Sequence, residues 1–340
     1  MPLVQAPMAG GASGPPLAAA LCEAGALGFL AAGYKTAAAM TAEITELRAA
    51  TGLPFGVNLF VPGEAAAGVV AAQVGAYRDR LAPEAARLGV ELGDVPPHGL
   101  DDDWDAKVAA LLADPVPVVS FTFGCPDRGL LADFRARGTA TAVTVTTPEE
   151  AERAAAAGPD LLVVQGGEAG AHQGRWDNGD AEPYGLLALL GLVRAVTDVP
   201  CVVAGGIMTG GQIAAVLAAG AVAAQLGTAF LRCPESGAPA AYKAALADTR
   251  YDRTRLTRAF SGRLARGLVN GFLARHTAHA PAAYPEVHYA TAPLRRASAE
   301  AGDPETMALW AGQGWRLARE EPAATVVKRL ADELAAAQGR

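Results

Sequence analysis

Eight short apolar segments of strand length recur along the 340-residue chain, and segments rich in helix-forming residues separate them. An order of strand, helix, strand, helix is typical of a parallel sheet that is covered by helices. The predicted strands span residues 3–6, 28–31, 55–59, 116–121, 140–145, 161–165, 201–204 and 223–226. Because eight such units close into a barrel, the sequence predicts an α/β fold of the (β/α)8 TIM barrel type.

Seven of the separating segments carry helix-forming residues at helical spacing. The predicted helices span residues 15–24, 36–50, 65–81, 126–136, 147–157, 184–196 and 210–219. Several begin with a proline or a capping threonine, as helices commonly do. At the glycines that follow predicted helix ends we expect the left-handed backbone that closes many helices. These glycines are Gly25, Gly52, Gly158 and Gly220.

Two segments do not fit the simple repeat. Residues 84–114 contain two adjacent prolines, an acidic turn at 101–103 and one helix, and we interpret them as an elaborated connection before the fourth strand. Residues 248–340 include a proline-spaced loop near 281–293 and a last helix over 322–337. The sequence therefore predicts a barrel over residues 1–247 and a C-terminal extension over 248–340, which forms a smaller capping subdomain and helices packed on the barrel.

The net charge of −7, from 35 acidic and 28 basic residues, argues against nucleic acid as a partner, because phosphate groups attract basic surfaces. Since neither a signal sequence nor an apolar run of about 18 residues is visible, we expect a cytoplasmic protein that does not bind a membrane. The scattered cysteines are expected to be buried free thiols, and the histidines lack the spacing of a metal site. The sequence does not indicate the oligomeric state.

The most informative segment is residues 164–174, which read VQGGEAGAHQG and begin at the end of the sixth predicted strand. Glycines let the backbone approach a ligand closely, and barrel enzymes keep their chemistry at the carboxyl ends of the strands. We therefore predict that His172 projects toward the barrel mouth and acts as a general base, a role that suits a side chain with a pKa near neutral. The alternative is a hydrogen-bonded loop histidine without a catalytic role.

Small residues follow the last two predicted strands. Gly205 and Gly206 come after the seventh strand, and residues 225–228, Gln-Leu-Gly-Thr, come at the end of the eighth. These two loops commonly form a phosphate site in barrels, because small residues expose backbone N–H groups and a helix N-terminus favours an anion. We predict a phosphate-bearing cofactor here, with Thr228 as a further hydroxyl donor. Glycine pairs that serve only tight turns are the alternative.

The ends of the first and third strands carry residues suited to a flat ring system. Residues 6–11, Ala-Pro-Met-Ala-Gly-Gly, form a rigid turn with an apolar Met8, and backbone groups beside it can reach the polar edge of a ring. A Met8 that only fills space at the rim is the alternative. Asn58 lies among apolar residues, where a polar group needs a partner, and we predict that it contacts the same ring.

Ser120 and Thr122 lie near the end of the fourth strand, and we predict both as polar groups at the mouth that contact substrate. Strand alternation is expected to send one of them inward and the other outward. Cys125 follows, but nothing nearby except a helix start lowers its pKa, so a nucleophilic thiol is disfavoured. Arg263 and Arg266 are candidates for an anionic substrate, although a solvated or interdomain salt bridge is the favoured interpretation. His98, His276, His279 and His288 receive no function.

Taken together, these residues resemble the nitronate monooxygenase family, formerly called 2-nitropropane dioxygenases, over nearly the whole chain. The matching segments are residues 6–11, 54–58, 119–121, 165–174, 204–207, 225–230 and 309–313. The resemblance implies an FMN-dependent oxidoreductase that acts on a small-molecule nitronate or nitroalkane with O2 and forms a carbonyl compound and nitrite. It also implies that His172 is the active-site base.

The resemblance further implies that FMN is held without covalent attachment by residues at the mouth. These residues are Pro7, Met8, Ala9, Asn58, Gln165, Gly170, Ala171, Gly205, Gly206, Gln225, Leu226, Gly227 and Thr228. The chain departs from the family at Ala171, where glycine is usual. Because alanine disfavours positive φ, the sequence does not determine the backbone geometry beside the flavin at Ala171.

Two other functions are compatible with these motifs. A flavin-type, NAD(P)H-dependent enoyl-acyl carrier protein reductase shares the barrel, the FMN and the Gly-Gly-Glu-Ala-Gly-x-His pattern. The segment from Trp310 to Gln313 and the long C-terminal tail favour the monooxygenase. A non-catalytic FMN-binding protein is the third interpretation, and the histidine in its glycine-rich frame argues against it.

Overall fold

The fold is a barrel of eight parallel strands, seen in a computed structural model that describes residues 1–63, 69–97 and 99–339. The barrel strands are β1 (Leu3–Gln5), β2 (Gly28–Ala31), β3 (Phe55–Phe60), β4 (Val118–Thr122), β5 (Ala140–Val145), β6 (Leu161–Gln165), β8 (Cys201–Ala204) and β9 (Ala223–Leu226). A second sheet contains β7 (Ala171–His172), β10 (Thr254–Thr257) and β11 (Ala265–Leu268). The predicted (β/α)8 barrel is confirmed, with each barrel strand within two residues of its predicted bounds.

The strand order β1-β9-β8-β6-β5-β4-β3-β2 brings the first and second strands to the two ends of the sheet. Leu27, just before β2, closes the ring, because Gln5 N donates to Leu27 O at 2.9 Å and Leu27 N donates to Leu3 O at 3.0 Å. Side chains alternate along each strand between the barrel interior and the helices. Val163 and Val202 accordingly pack together inside the barrel, whereas the larger core lies between strands and helices.

The helices are α1 (Pro15–Glu23), α2 (Ala37–Ala50), α3 (Val69–Leu88), α4 (Trp104–Ala113), α5 (Arg128–Ala136), α6 (Pro148–Ala157), α7 (Leu186–Val196), α8 (Gly210–Ala218), α9 (Ala240–Ala245), α10 (Gly271–His276), α11 (Glu286–Glu300) and α12 (Ala323–Ala337). The third helix continues through Pro83, seven residues beyond its predicted end at 81. Residues 65–68 of that predicted helix and His98 lie outside the described residues.

Helix ends follow the predicted pattern with one exception. Gly158 ends α6 in the left-handed conformation, with φ +86°, where a side chain would be strained. Gly25 and Gly220 also have positive φ, as predicted. The prediction for Gly52 was wrong, because α2 already ends at Thr51 in an extended conformation and the turn needs no left-handed residue.

The C-terminal residues form structure that the sequence did not predict. We predicted a proline-spaced loop near residues 281–293. This prediction was wrong for residues 286–293, because α11 begins at Glu286 and includes Pro293. β11 pairs with β10 and with the two-residue β7, so that Ala265 lies opposite His172. The last helix, α12, packs its apolar side chains into the core between strands and helices, beside α8. The boundary at 247/248 stays a prediction.

No helix among the described residues combines the length and the hydropathy needed to cross a membrane. The four cysteines are free thiols, as predicted. Cys22, Cys201 and Cys233 are buried, whereas Cys125 is only half-buried.

Candidate functional site

One cavity of about 420 Å³ opens at the carboxyl ends of the barrel strands. Almost all of the site residues predicted from the sequence line it. They are Pro7, Met8, Ala9, Asn58, Ser120, Thr122, Gln165, Gly170, Ala171, His172, Gly205, Gly206, Gln225, Gly227 and Thr228. Leu226 is the exception, because strand alternation turns its side chain into the helix-side core, where it is 1% exposed.

The turn after β1 is held by two buried polar residues that sequence analysis missed. Gln5 Nε2 donates to Ser13 Oγ at 2.8 Å, and Met8 N donates to the same oxygen at 2.9 Å. Gln5 Oε1 in turn accepts from Phe29 N at 3.0 Å. Because Gln5 is fully buried and both ends of its amide have partners, the segment that carries Pro7 and Met8 is firmly positioned.

Asn58 is oriented by the two hydroxyls of β4. Ser120 Oγ and Thr122 Oγ1 donate to Asn58 Oδ1 at 2.8 and 3.0 Å. Within the described chain, no protein acceptor takes a hydrogen bond from Asn58 Nδ2, so this amide group remains free to donate into the cavity. The expectation that Ser120 and Thr122 face opposite ways was wrong, because residues two apart in a strand share a face.

The amide of Gln165 fixes the loop that follows β6. Its Oε1 accepts from Gly174 N at 2.6 Å, and its Nε2 donates to His172 O at 3.2 Å. Gly170 has no room for a side chain, since a Cβ there would lie 2.5 Å from Gly312 N. This close contact places the residues 309–313 directly against the loop.

Ala171 adopts the left-handed conformation with φ +61°, so the backbone geometry suited to glycine is kept although alanine occupies the position. Tyr34 and Phe123 also line the cavity and have φ of +66° and +76°. Non-glycine residues in this region carry strain, which tends to concentrate at functional sites. Three such residues around one cavity therefore support a functional role for it.

His172 lies at the end of β7, held against β11 and partly buried. Its Nε2 is 2.8 Å from Ser261 Oγ. Burial, followed by the positive charges of Arg263 and Arg295, lowers the pKa of His172 to about 3. The ring is therefore neutral at pH 7, the form that can accept a proton, but its pKa is lower than the near-neutral value expected of a general base.

The walls around His172 are aromatic. The rings of Phe123, Tyr284 and Trp310 each have their centroid 5.8 Å from that of the imidazole. Such a wall limits the access of water to the histidine and strengthens electrostatic effects inside the cavity.

The two arginines near β11 do not form the salt bridges that were favoured for them. Arg263 is 7% exposed, lies 3.9 Å over the Phe123 ring and donates to the carbonyl of Arg175. Arg266 Nε donates to Gly167 O at 2.9 Å. The salt-bridge interpretation was wrong, because both guanidinium groups use backbone carbonyls as acceptors within the described residues.

The cavity residues that sequence analysis missed include Tyr34, His288 and Arg295. Tyr34 stacks on His288 with ring centroids 3.7 Å apart and an interplanar angle of 7°. Arg295 Nη2 lies 3.3 Å from His288 Nδ1. The signal was the seven-residue spacing of His288 and Arg295, which puts them on one helix face once α11 is recognised.

Glycines line the end of the cavity formed by the last two strands. Gly205 and Gly206 have φ of +132° and +67°, so their turn bends back without a side chain in the way. Thr228 Oγ1 accepts from Gly312 N at 3.1 Å and keeps its own proton for a further acceptor. Cys125 does not line the cavity, and burial raises the pKa of its thiol to about 11, which disfavours a nucleophilic role.

Comparison with known proteins places the whole chain in one family. The family described as nitronate monooxygenase matches residues 1–333. A nitronate monooxygenase of Pseudomonas aeruginosa is 44% identical over 98% of this chain and 96% of its own length. A nitroalkane oxidase structure from Streptomyces ansochromogenes has a TM-score of 0.96 at 60% identity, covering 100% of this chain and 97% of that one.

A structure of FabK from Thermotoga maritima is more distant, with a TM-score of 0.75 at 25% identity over 99% of this chain and 94% of that one. The nitronate monooxygenase of Pseudomonas aeruginosa is the more similar in sequence, at 44% identity against 25% for FabK. The chain belongs to the nitronate monooxygenase family of oxidoreductases.

Proposed function

We propose that this protein binds FMN without a covalent bond and oxidises nitronates and nitroalkanes with O2 to carbonyl compounds and nitrite. The observation that carries the proposal is the shared cavity, which joins a glycine-lined pocket to a neutral, aromatic-walled His172. The activities named for the Pseudomonas and Streptomyces relatives support the same chemistry.

The residues present fit FMN. The phosphate would lie at Gly205, Gly206 and Gly227, whose backbone N–H groups donate to no backbone acceptor among the described residues, with the Thr228 hydroxyl as a further donor. The free Nδ2 of Asn58 is an unused donor for a ring carbonyl or nitrogen. When bound, FMN supplies the electron removal from the nitronate and the reaction with O2.

Ser120 and Thr122 have a different role in this proposal from the one expected of them. Both hydroxyls donate their protons to Asn58 Oδ1. The two hydroxyls therefore determine that the Nδ2 end of the amide faces the cavity. We therefore assign them to cofactor binding through Asn58 rather than to direct substrate contact.

The base needs an unprotonated nitrogen that can reach substrate. Ser261 Oγ lies 3.2 Å from Arg263 O and can donate its proton there. Nε2 of His172 then carries the ring proton and donates it to Ser261, which leaves Nδ1 as an acceptor. No protein donor among the described residues occupies Nδ1, so we assign Nδ1 as the base.

A neutral nitroalkane in this cavity loses its α-proton to His172, and a positioned base of this kind contributes roughly 10² to 10⁴ in rate. A nitronate supplied as the anion has no such proton to lose. The aromatic walls orient either substrate and exclude water from the reacting carbon.

The direct test is to purify the protein, record its visible spectrum and measure nitrite release from nitroethane and propionate 3-nitronate under air. Flavin absorbance that is released as FMN on denaturation, together with nitrite from at least one substrate, supports the proposal. Absence of nitrite with both substrates, combined with rapid anaerobic flavin reduction by NADH or NADPH and turnover of an enoyl thioester, would establish the reductase instead.

A further inference from the structure

A second histidine, His288, faces the same cavity as His172. Its ring is held flat against Tyr34, with ring centroids 3.7 Å apart. Tyr34 is itself fixed, because its N donates to Asp102 Oδ1 at 2.7 Å and its hydroxyl accepts from the Tyr284 hydroxyl at 3.2 Å. The orientation of the His288 imidazole is therefore set by packing on one face.

Arg295 sets the tautomer of this imidazole. Its Nη2 lies 3.3 Å from His288 Nδ1 and 2.8 Å from His288 O. A guanidinium has donors and no acceptor, so Nδ1 must accept and the ring proton must be on Nε2. Within the described chain no protein acceptor takes that proton, so His288 presents a free Nε2–H donor on the cavity side.

The surroundings keep His288 neutral. Burial, the charge of Arg295 and the neighbouring His172 hold the pKa of His288 well below its usual range. Arg295 itself stays protonated at neutral pH, since its pKa is lowered only to about 10, and its hydrogen bonds to described residues go to Thr291 and His288 rather than to a carboxylate. A neutral donor backed by an unpaired cation suits an oxygen that gains negative charge.

We propose that His288 is a second catalytic residue, which donates a hydrogen bond from Nε2 to a nitro oxygen of the substrate while His172 removes the α-proton. The Cα–H bond breaks, its electron pair moves into the nitro group, and the proton passes to His172. His288 keeps its proton throughout. This assignment rests on the proposed function, because it needs a substrate with a nitro group.

Two variants of the holoenzyme separate the hydrogen bond from the packing. His288→Phe keeps an aromatic ring on Tyr34 but removes the donor, and His288→Gln keeps an N–H donor near the Nε2 position without the ring. Removing one donor of this kind typically lowers kcat about 10²-fold or more. We expect His288→Phe to lower kcat/KM for nitroethane by about 10²-fold, and His288→Gln to stay within about fivefold of wild type.

Preformed ethyl nitronate provides the second measurement. Its oxygens carry the negative charge before the reaction starts, so the lost hydrogen bond weakens ground-state binding as well. His288→Phe should therefore raise KM for the nitronate more than it lowers kcat. His279→Phe is the matched control, because His279 is exposed and lies outside the cavity, and it should behave as wild type.

The tautomer gives a readout that is independent of turnover. Nitrogen-15 NMR of the histidine-labelled holoenzyme at pH 7 should show His288 protonated at Nε2 alone. A ring protonated at Nδ1, wild-type kinetics in His288→Phe, or equal losses in the Phe and Gln variants would each overturn the assignment. Loss of FMN from His288→Phe would show a structural role and overturn it too. A wild-type enzyme without nitrite release, in contrast, would refute the proposed function itself.

Discussion

The imidazole Nε2 of His172 lies 2.8 Å from the Ser261 hydroxyl, which is 89 residues further along the chain. This contact joins the loop after β6 to the C-terminal extension. Since the same hydroxyl lies 3.2 Å from Arg263 O, it has a defined acceptor for its own proton. The extension thus orients the proposed base from outside the eight barrel strands.

Removing the Ser261 hydroxyl should weaken catalysis without removing the cofactor. We expect Ser261→Ala to lower kcat/KM for nitroethane about tenfold, which corresponds to one hydrogen bond of about 1.4 kcal/mol. Steady-state nitrite release checks the rate, and the flavin absorbance per protein checks the cofactor. Ser261→Thr retains the hydroxyl and should recover most of the activity. Unchanged kinetics in Ser261→Ala would exclude the orienting role.

The orientation of Asn58 by Ser120 and Thr122 predicts an effect on FMN binding. The double variant Ser120→Ala, Thr122→Val leaves the amide free to rotate, and we expect the Kd of FMN to rise about tenfold from the loss of two hydrogen bonds. Fluorescence quenching of FMN titrated with apoprotein measures this Kd. If the Kd stays constant while KM for nitroethane rises, the two hydroxyls contact substrate, as the sequence suggested.

The fold should be less stable with alanine at position 171 than with glycine there. Left-handed backbone costs a non-glycine residue about 1–2 kcal/mol, whereas glycine loses about 0.5–1 kcal/mol in unfolded-state entropy. Ala171→Gly is therefore expected to raise the free energy of unfolding by about 0.5–1 kcal/mol, measured by urea denaturation of the holoenzyme. Ala215, exposed within α8, is the control, because Ala215→Gly should destabilise by about 1 kcal/mol. A loss of stability in both variants would contradict the strain at Ala171.

The low pKa of His172 predicts two pH profiles. With a folded-state pKa of about 3, the neutral base persists as pH falls, so kcat/KM for nitroethane should show no acid limb near pH 6.5. In the unfolded chain, however, His172 becomes protonated below about pH 6.5. The contribution of His172 to the free energy of unfolding is therefore present above that pH and is lost as pH falls toward 3.

Between pH 7 and pH 4.5, the stability advantage of wild type over His172→Gln should consequently shrink by about 2.5 kcal/mol, as measured by urea midpoints. Comparison with the variant cancels the contributions of the other buried histidines. An acid limb with a pKa near 6.5, or a stability difference that does not change with pH, would show that the imidazole is not held neutral by its surroundings.

The barrel could be predicted because its signals are local. Segments such as β6 and β8 are short apolar runs that each follow the end of a helix and are followed directly by two glycines. The position of His172 at the mouth follows from the same order, because the carboxyl ends of barrel strands meet at one rim.

The residues that the C-terminal part of the chain adds to the cavity could not be predicted in the same way. β7 has two residues and no period, so only its pairing with β11 makes it a strand. Helix α11 contains Pro293, which reads as a loop signal although the helix accommodates it. His288 and Arg295 appear as unrelated residues until that helix is known. The substrate end of the cavity therefore depends on contacts between residues far apart in sequence.

The base role of His172 is tested most directly by nitrite release from the holoenzyme of His172→Ala, with nitroethane and with preformed ethyl nitronate as parallel substrates. We predict that activity on nitroethane falls by about 10² to 10⁴, because proton removal loses its base, while activity on the nitronate falls far less. FMN content should stay at the wild-type level. Equal losses on both substrates would contradict the account.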